Sequence, residues 1–112
     1  MKYMMFVCSD SEPETDDAAV PDIEVWVAEN DANGRRVLGS ILAAPAAATT
    51  VRVRKGELLL TDGPFAETKE VIAGFDIIEC ADLDEAIEVA RTHPSAYHGR
   101  IELRPFQAET GR

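Results

Sequence analysis

The sequence predicts an α+β sandwich, one antiparallel sheet with helices on a single face, and three observations carry that reading. Short apolar runs of strand length recur at residues 2–8, 35–43, 71–81 and 100–106. A helix-period stretch stands between the first two runs and another between the last two. Between the halves, two further short strands flank Lys55-Gly56 as an inserted hairpin. The chain has 112 residues, 46% of them hydrophobic, which suits one globular domain with a modest core and excludes a disordered chain.

KYMMFVC, Lys2 to Cys8, is aromatic and apolar and reads as a buried strand. SDSEPETDD is acidic and proline-bearing, hence a loop. A helix follows, starting between Asp17 and Asp22, with Asp17 available as cap and Pro21 tolerable only near the first turn. Ile23, Trp26 and Val27 form its expected buried stripe, Glu24 and Asp31 face out, and Asn33-Gly34 stops it. RRVLGSILA, Arg35 to Ala43, is the second strand, with Gly39 a bulge or a close contact.

APAAATT links to TVRVR, where Val51 and Val53 alternate with Arg52 and Arg54. Lys55-Gly56 turns the chain into ELLLT, Glu57 to Thr61. Val71 to Ala81 is the longest strand. Asp82 and Glu85 make a capping box, and Leu83, Ala86, Ile87 and Ala90 recur at helical spacing, so Asp82 to His93 is a helix ended by Pro94. RIELRPF from Arg100 is the last strand. A single domain over 1–106 is expected, with a C-terminal tail over 107–112.

Two βαβ units on one face of an antiparallel sheet make a ferredoxin-like sandwich. Its other face needs cover, because some of Phe6, Leu38, Phe75 and Ile77 must point there; a homodimer packed sheet on sheet supplies it. The strand ending at Cys8 runs antiparallel to the one ending at Cys80, so the two cysteines lie apart and no disulfide is expected.

Net charge is −10. Residues 1–31 carry nine acids and one base, residues 32–56 five bases and no acid, and residues 57–112 twelve acids and five bases. The total argues against direct nucleic-acid binding, which rests on phosphate neutralisation. The basic middle can meet a small anion or an acidic protein surface. No apolar run approaches the roughly 20 residues of a membrane span. Acids follow the opening MKYMMFV at once, without a convincing cleavage pattern, so a cytoplasmic protein is expected.

MKYM, TTVRVRKGELLLTDGPFAETKE, AGFDIIE, ADLDEAIEVA and HGRIELRP together resemble the DGPF branch of the YCII-related family, over nearly the whole chain. The resemblance implies a small bacterial protein forming a dimeric α+β barrel from ferredoxin-like protomers. YCII-like relatives include small-molecule enzymes, such as a dehydrochlorinase of ring-cleavage products. DGPF-type proteins are often encoded beside or fused to extracytoplasmic-function sigma factors, which implies a sigma factor as an alternative partner. Relatives proposed as enzymes carry a His–Asp pair with the histidine on or near the first helix. Residues 1–92 here contain no histidine.

The candidate site is the stretch TDGPFAETKE. Asp62 either bonds backbone N–H groups in an Asx-turn or serves as general base or ligand acceptor. Gly63 relieves the restriction before Pro64, and the two fix the loop's direction. Phe65 plugs the core or interface, or stacks on a ligand. Glu67, Lys69 and Glu70 are a solvated cluster or the mouth of a pocket. Arg54 and Lys69 are candidates for an anionic group. His98, before the last strand, is the acid/base candidate that can pair with Asp62. His93 reads as a helix-end residue facing the dipole. No metal spacing is present, and no cofactor is expected. The functional expectation is a homodimer binding a small molecule at this loop.

Overall fold

A computed structural model describes residues 1–10, 19–64 and 70–107. Along the chain run strand β1 (Lys2–Asp10), helix α1 (Ile23–Ala32), strand β2 (Arg36–Ile41), a 3₁₀ turn (Pro45–Ala47), strands β3 (Thr49–Arg54), β4 (Glu57–Asp62) and β5 (Glu70–Glu79), helices α2 (Leu83–Arg91) and α3 (Ser95–His98), and strand β6 (Arg100–Pro105). The main sheet has the order β2-β5-β1-β6, every neighbour antiparallel. β1 and β2 are thus parallel with β5 between them, and β5 and β6 parallel with β1 between them. This α+β arrangement is compatible with the ferredoxin-like fold. β3 and β4 form a separate two-stranded sheet.

α1 starts at Ile23, at the late end of the expected range. Asp22 is the cap: its Oδ1 accepts the Glu24 N–H at 2.8 Å. Asp17, the other cap candidate, lies outside the described residues. The buried face is Trp26 and Asn30, with Val27 half-buried, while Ile23 is exposed. α1 is apolar on several sides, so its pattern does not single out a face. A pair of hydrogen bonds does: Trp26 Nε1 donates to the Val89 carbonyl and Asn30 Nδ2 to the Trp26 carbonyl, both at 2.8 Å. Both of these buried donors are thereby satisfied.

On α2 the capping box forms, with Asp82 accepting the Glu85 N–H at 2.9 Å and Glu85 accepting the Ala81 N–H at 3.3 Å. Ala86, Val89 and Ala90 are buried, while Leu83 and Ile87 are exposed. The small alanines let the helix approach the sheet closely, which displaces the expected stripe by part of a turn. Pro94 ends α2 as predicted but also opens α3, which the sequence reading did not contain.

The core is Tyr3, Met5, Trp26, Ile78, Cys80, Ala86, Val89 and Ala90. The register Met5↔Asp76 and Tyr3↔Ile78 puts these on the helix side, and leaves Phe6↔Phe75, Met4↔Ile77 and Leu38↔Ile77 on the opposite face. No described element covers that face; Leu38 is 55% exposed, and Arg104 stacks on Phe6 with its guanidinium carbon 5.5 Å from the ring centroid. Cys8 and Cys80 are both buried and form no disulfide, and they lie at opposite ends of the β1–β5 ladder.

His93 corrects its expected role. It is 5% exposed, meets Trp26 edge to face at a centroid distance of 4.7 Å, and its Nδ1 accepts the Ser95 N–H at 3.0 Å. Burial pushes its pKa down to about 4, so the ring is neutral near pH 7 and has no charge to offer the helix dipole.

Candidate functional site

The Asp62 turn is built by the base of the hairpin. Register Thr49↔Asp62 closes the β3–β4 ladder, after which the Gly63 N–H donates to the Ala48 carbonyl at 2.7 Å and Thr50 Oγ1 donates to the Gly63 carbonyl at 2.8 Å. Gly63 sits at φ +90°, a conformation that a Cβ disfavours. Both bonds belong to Gly63, so among the described residues the turn is set through the glycine. The Asp62 carboxylate is exposed and takes no hydrogen bond from a described residue, which leaves the Asx-turn without a donor there. Pro64 is exposed too. Phe65, Glu67 and Lys69 lie outside the described residues.

Arg54 stands at the other end of the same ladder, opposite Glu57, with Nη1 donating to the Val53 carbonyl at 2.9 Å. Five residues of strand separate its rung from that of Asp62, about 17 Å at ~3.4 Å per residue. Within one protomer the two do not share a ligand-sized site. His98 is exposed at the end of α3, ahead of β6, whose Arg100 pairs with Cys8. Asp62 ends β4 of the separate hairpin sheet and precedes β5 in the chain, while His98 precedes β6. β5 and β6 stand two strand spacings apart, about 10 Å at ~4.8 Å each, with β1 between them. No hydrogen bond joins Asp62 to His98 among the described residues.

An ion cluster that the sequence reading passed over occupies the helix side of the sheet. Asp76 is 7% exposed and accepts from Arg36 Nε at 2.9 Å; Arg36 Nη1 reaches Asp31 at 3.0 Å and Nη2 the Gly39 carbonyl at 3.3 Å. A Cβ on Gly39 would run into the Asp76 carboxylate, so the glycine makes the room this acid occupies. Burial pushes the Asp76 carboxyl up, against the pull of Arg36, while the hydrogen bond to Asp76 raises the guanidinium further. The pair is mutually committed: one guanidinium ties α1, β2 and β5 together. The signal was present in AGFDIIE, an acid in the middle of an apolar strand, which requires a cation.

The same bonds divide the basic middle of the chain. Arg35 pairs with Glu85 at 3.4 Å and Arg36 with Asp76 and Asp31, whereas Arg54 and Lys55 are exposed at the hairpin tip. Burial pushes the Cys80 thiol up, which disfavours a thiolate nucleophile. Among the described residues no group of three or more His, Cys, Asp or Glu is placed to hold a metal, and no helix is long and apolar enough to cross a membrane.

Comparison with known proteins adds a family and no reaction. An uncharacterised protein of Rhizobium meliloti (strain 1021) is 48% identical over 69 residues, covering 58% of this chain and 54% of that protein. This chain therefore spans about half the length of that relative. The YCII-related domain matches residues 1–108, nearly the entire sequence, and the chain belongs to the YCII-related domain family.

Proposed function

We propose that this YCII-related chain is a homodimeric small-molecule-binding protein of the DGPF branch, with its ligand held at the Asp62–Gly63–Pro64 turn. The observation that carries this is an exposed carboxylate on a turn already fixed by the two Gly63 hydrogen bonds. A preset acceptor loses little conformational freedom when it meets a ligand O–H or N–H. The branch assignment rests on the order Asp62-Gly63-Pro64-Phe65. The dimer rests on the apolar open sheet face. Acid/base turnover would need His98 beside Asp62, and no hydrogen bond joins the two among the described residues, so binding is the reading favoured here.

Proton–nitrogen correlation spectra of the protein titrated with a set of small hydroxy and amino carboxylates test the reading. A binder should shift the Gly63 and Thr50 amides, and Asp62→Asn should weaken it about tenfold, as loss of one charge-assisted hydrogen bond does. Binders that perturb other regions alone, or that ignore Asp62→Asn, would remove the site.

The rival reading, an accessory partner of an extracytoplasmic-function sigma factor, draws on the exposed Arg54 and Lys55. It expects a salt-sensitive complex lost in an Arg54→Glu/Lys55→Glu variant. A pull-down without a sigma factor would count against it.

A further inference from the structure

We infer that His93 is an acid-sensitive latch on α3: its neutral ring, seated against Trp26, holds the first turn of α3, and proton uptake there frees the segment between α2 and β6 while the sheet stays folded. None of the four residues of α3 is buried, so the segment has no core anchor of its own. The buried His93 ring, just ahead of it, supplies one through its edge-to-face contact with Trp26 and through Nδ1, which accepts the Ser95 N–H at 3.0 Å. The His93 carbonyl accepts the Ala96 N–H at 3.1 Å, so one residue takes two N–H groups of that turn. The far end is fixed by the sheet. Arg100 pairs with Cys8, and Gly99 sits where a Cβ would meet the Cys8 carbonyl. The stretch free to move is 93–98.

A single nitrogen decides the state of the latch. A neutral imidazole whose Nδ1 accepts a hydrogen bond carries its proton on Nε2. A second proton puts an N–H on Nδ1, where it faces the Ser95 N–H, and the bond becomes a meeting of two donors. No described charge steadies the imidazolium, since burial alone lowers the pKa of this ring. Glu24, Glu29 and Asp31 on α1, Asp84, Glu88 and Arg91 on α2, and His98 and Arg100 beyond them are all exposed, and Glu88 pairs with Arg91. Glu85 is engaged with Arg35, and Asp76 with Arg36. On β1 and β6, against which α3 lies, Lys2, Glu102 and Arg104 belong to the open face of the sheet. A charged ring is therefore expelled. Expelling it disturbs the Ala90 carbonyl bond to the His93 N–H and a segment with no buried residue, which costs far less than opening the sheet.

Trp26 is the single tryptophan of the chain, so its emission reads the latch directly. From pH 7.5 to 4 that emission should move to longer wavelength while the backbone circular dichroism stays native. Exchange of the Ala96 and Gly99 amides, corrected for the intrinsic rate, should speed up about 60-fold between pH 7 and 4.5, of the roughly 300-fold that a ring pKa of about 4 closed and 6.5 open permits. Low urea should leave this exchange unchanged, because a short segment exposes little surface. His93→Phe keeps a ring against Trp26 but takes up no proton, so both responses should vanish there, whereas His98→Gln should keep them. If His93→Phe does not fold, wild type decides: the His93 ring and the Ser95 amide should titrate together in spectra of the folded protein. Emission that moves only as the dichroism collapses, or acid-promoted exchange that urea accelerates, would mean global unfolding and overturn the latch. So would an acid response kept in His93→Phe or lost in His98→Gln, or a Ser95 amide indifferent to the ring's titration.

Discussion

In β1, Tyr3 and Met5 alternate with Met4 and Phe6, and the first pair is almost wholly buried beneath α1 and α2. In β3, Val51 and Val53 alternate with Arg52 and Arg54 in the same way, and both valines stay exposed. Both strands carry apolar residues at every second position; what differs is whether a helix crosses over them. Alternation therefore specifies that a face will be buried without specifying by what. On the helix face of the main sheet the cover is internal, and on the hairpin's apolar face no described element supplies one. Substitutions in the two regions should respond accordingly, and the consequences can be ranked.

The largest effect belongs to Trp26, which joins the helices to each other and to the sheet. Trp26→Ala should cost about 3–5 kcal/mol in denaturant unfolding, since it opens a cavity and strands the Val89 carbonyl. A loss below about 1 kcal/mol would mean that the α1–α2 contact is not the centre of the fold.

Acid should act next, and only on the helical side. His93 is held neutral, its pKa lowered from 6.5 to about 4 by burial. The unfolded chain begins to take up the proton near pH 6.5 while the folded chain resists until about pH 4. Stability is thus full above pH 6.5, falls through that window by about 3 kcal/mol, and levels off below it. Unfolding midpoints measured from pH 7.5 to 3.5 should show this fall in wild type and lose most of it in His93→Phe. An identical pH profile for the two proteins would show that other groups control acid unfolding.

The Asp76 cluster ranks third. Asp76→Ala leaves Arg36 bonded to Asp31 and the Gly39 carbonyl but without its most buried partner, and should cost about 2 kcal/mol. In the Arg36→Met background the same change should cost far less. Equal costs in the two backgrounds would deny the coupling.

These residues also mark how far the sequence could be read. Strand positions, the antiparallel hairpin, the Asp82 cap and the separation of the cysteines follow from local rules, because each depends on a few neighbouring side chains or on strand direction. The faces of α1 and α2 do not. Asn30 and His93 are buried because the Trp26 indole inserts between two helices far apart in sequence, and no local periodicity encodes that. Asp76 was legible as an anomaly, a carboxylate inside an apolar run, but its partner Arg36 lies 40 positions away. At the candidate site the turn geometry around Gly63 was foreseeable from glycine before proline. The distance from Asp62 to Arg54 was not, since it emerges from the hairpin register.

The smallest effects should fall in the hairpin, and their smallness is the sharpest test of the comparison. Gly63→Ala, which forces a Cβ into φ +90°, should cost about 1–2 kcal/mol. Leu60→Ser, measured well below the concentration of any self-association, should cost less than about 0.5 kcal/mol, because its side chain is solvated before and after. Amide exchange should show the same asymmetry. Hydrogens of β1 and β5 should open only with global unfolding, whereas those of β3 and β4 should exchange through local opening of a two-stranded ladder. Hairpin amides as protected in dilute protein as those of β1 would show that the hairpin is already buttressed within one chain, and the contrast between the two regions would vanish.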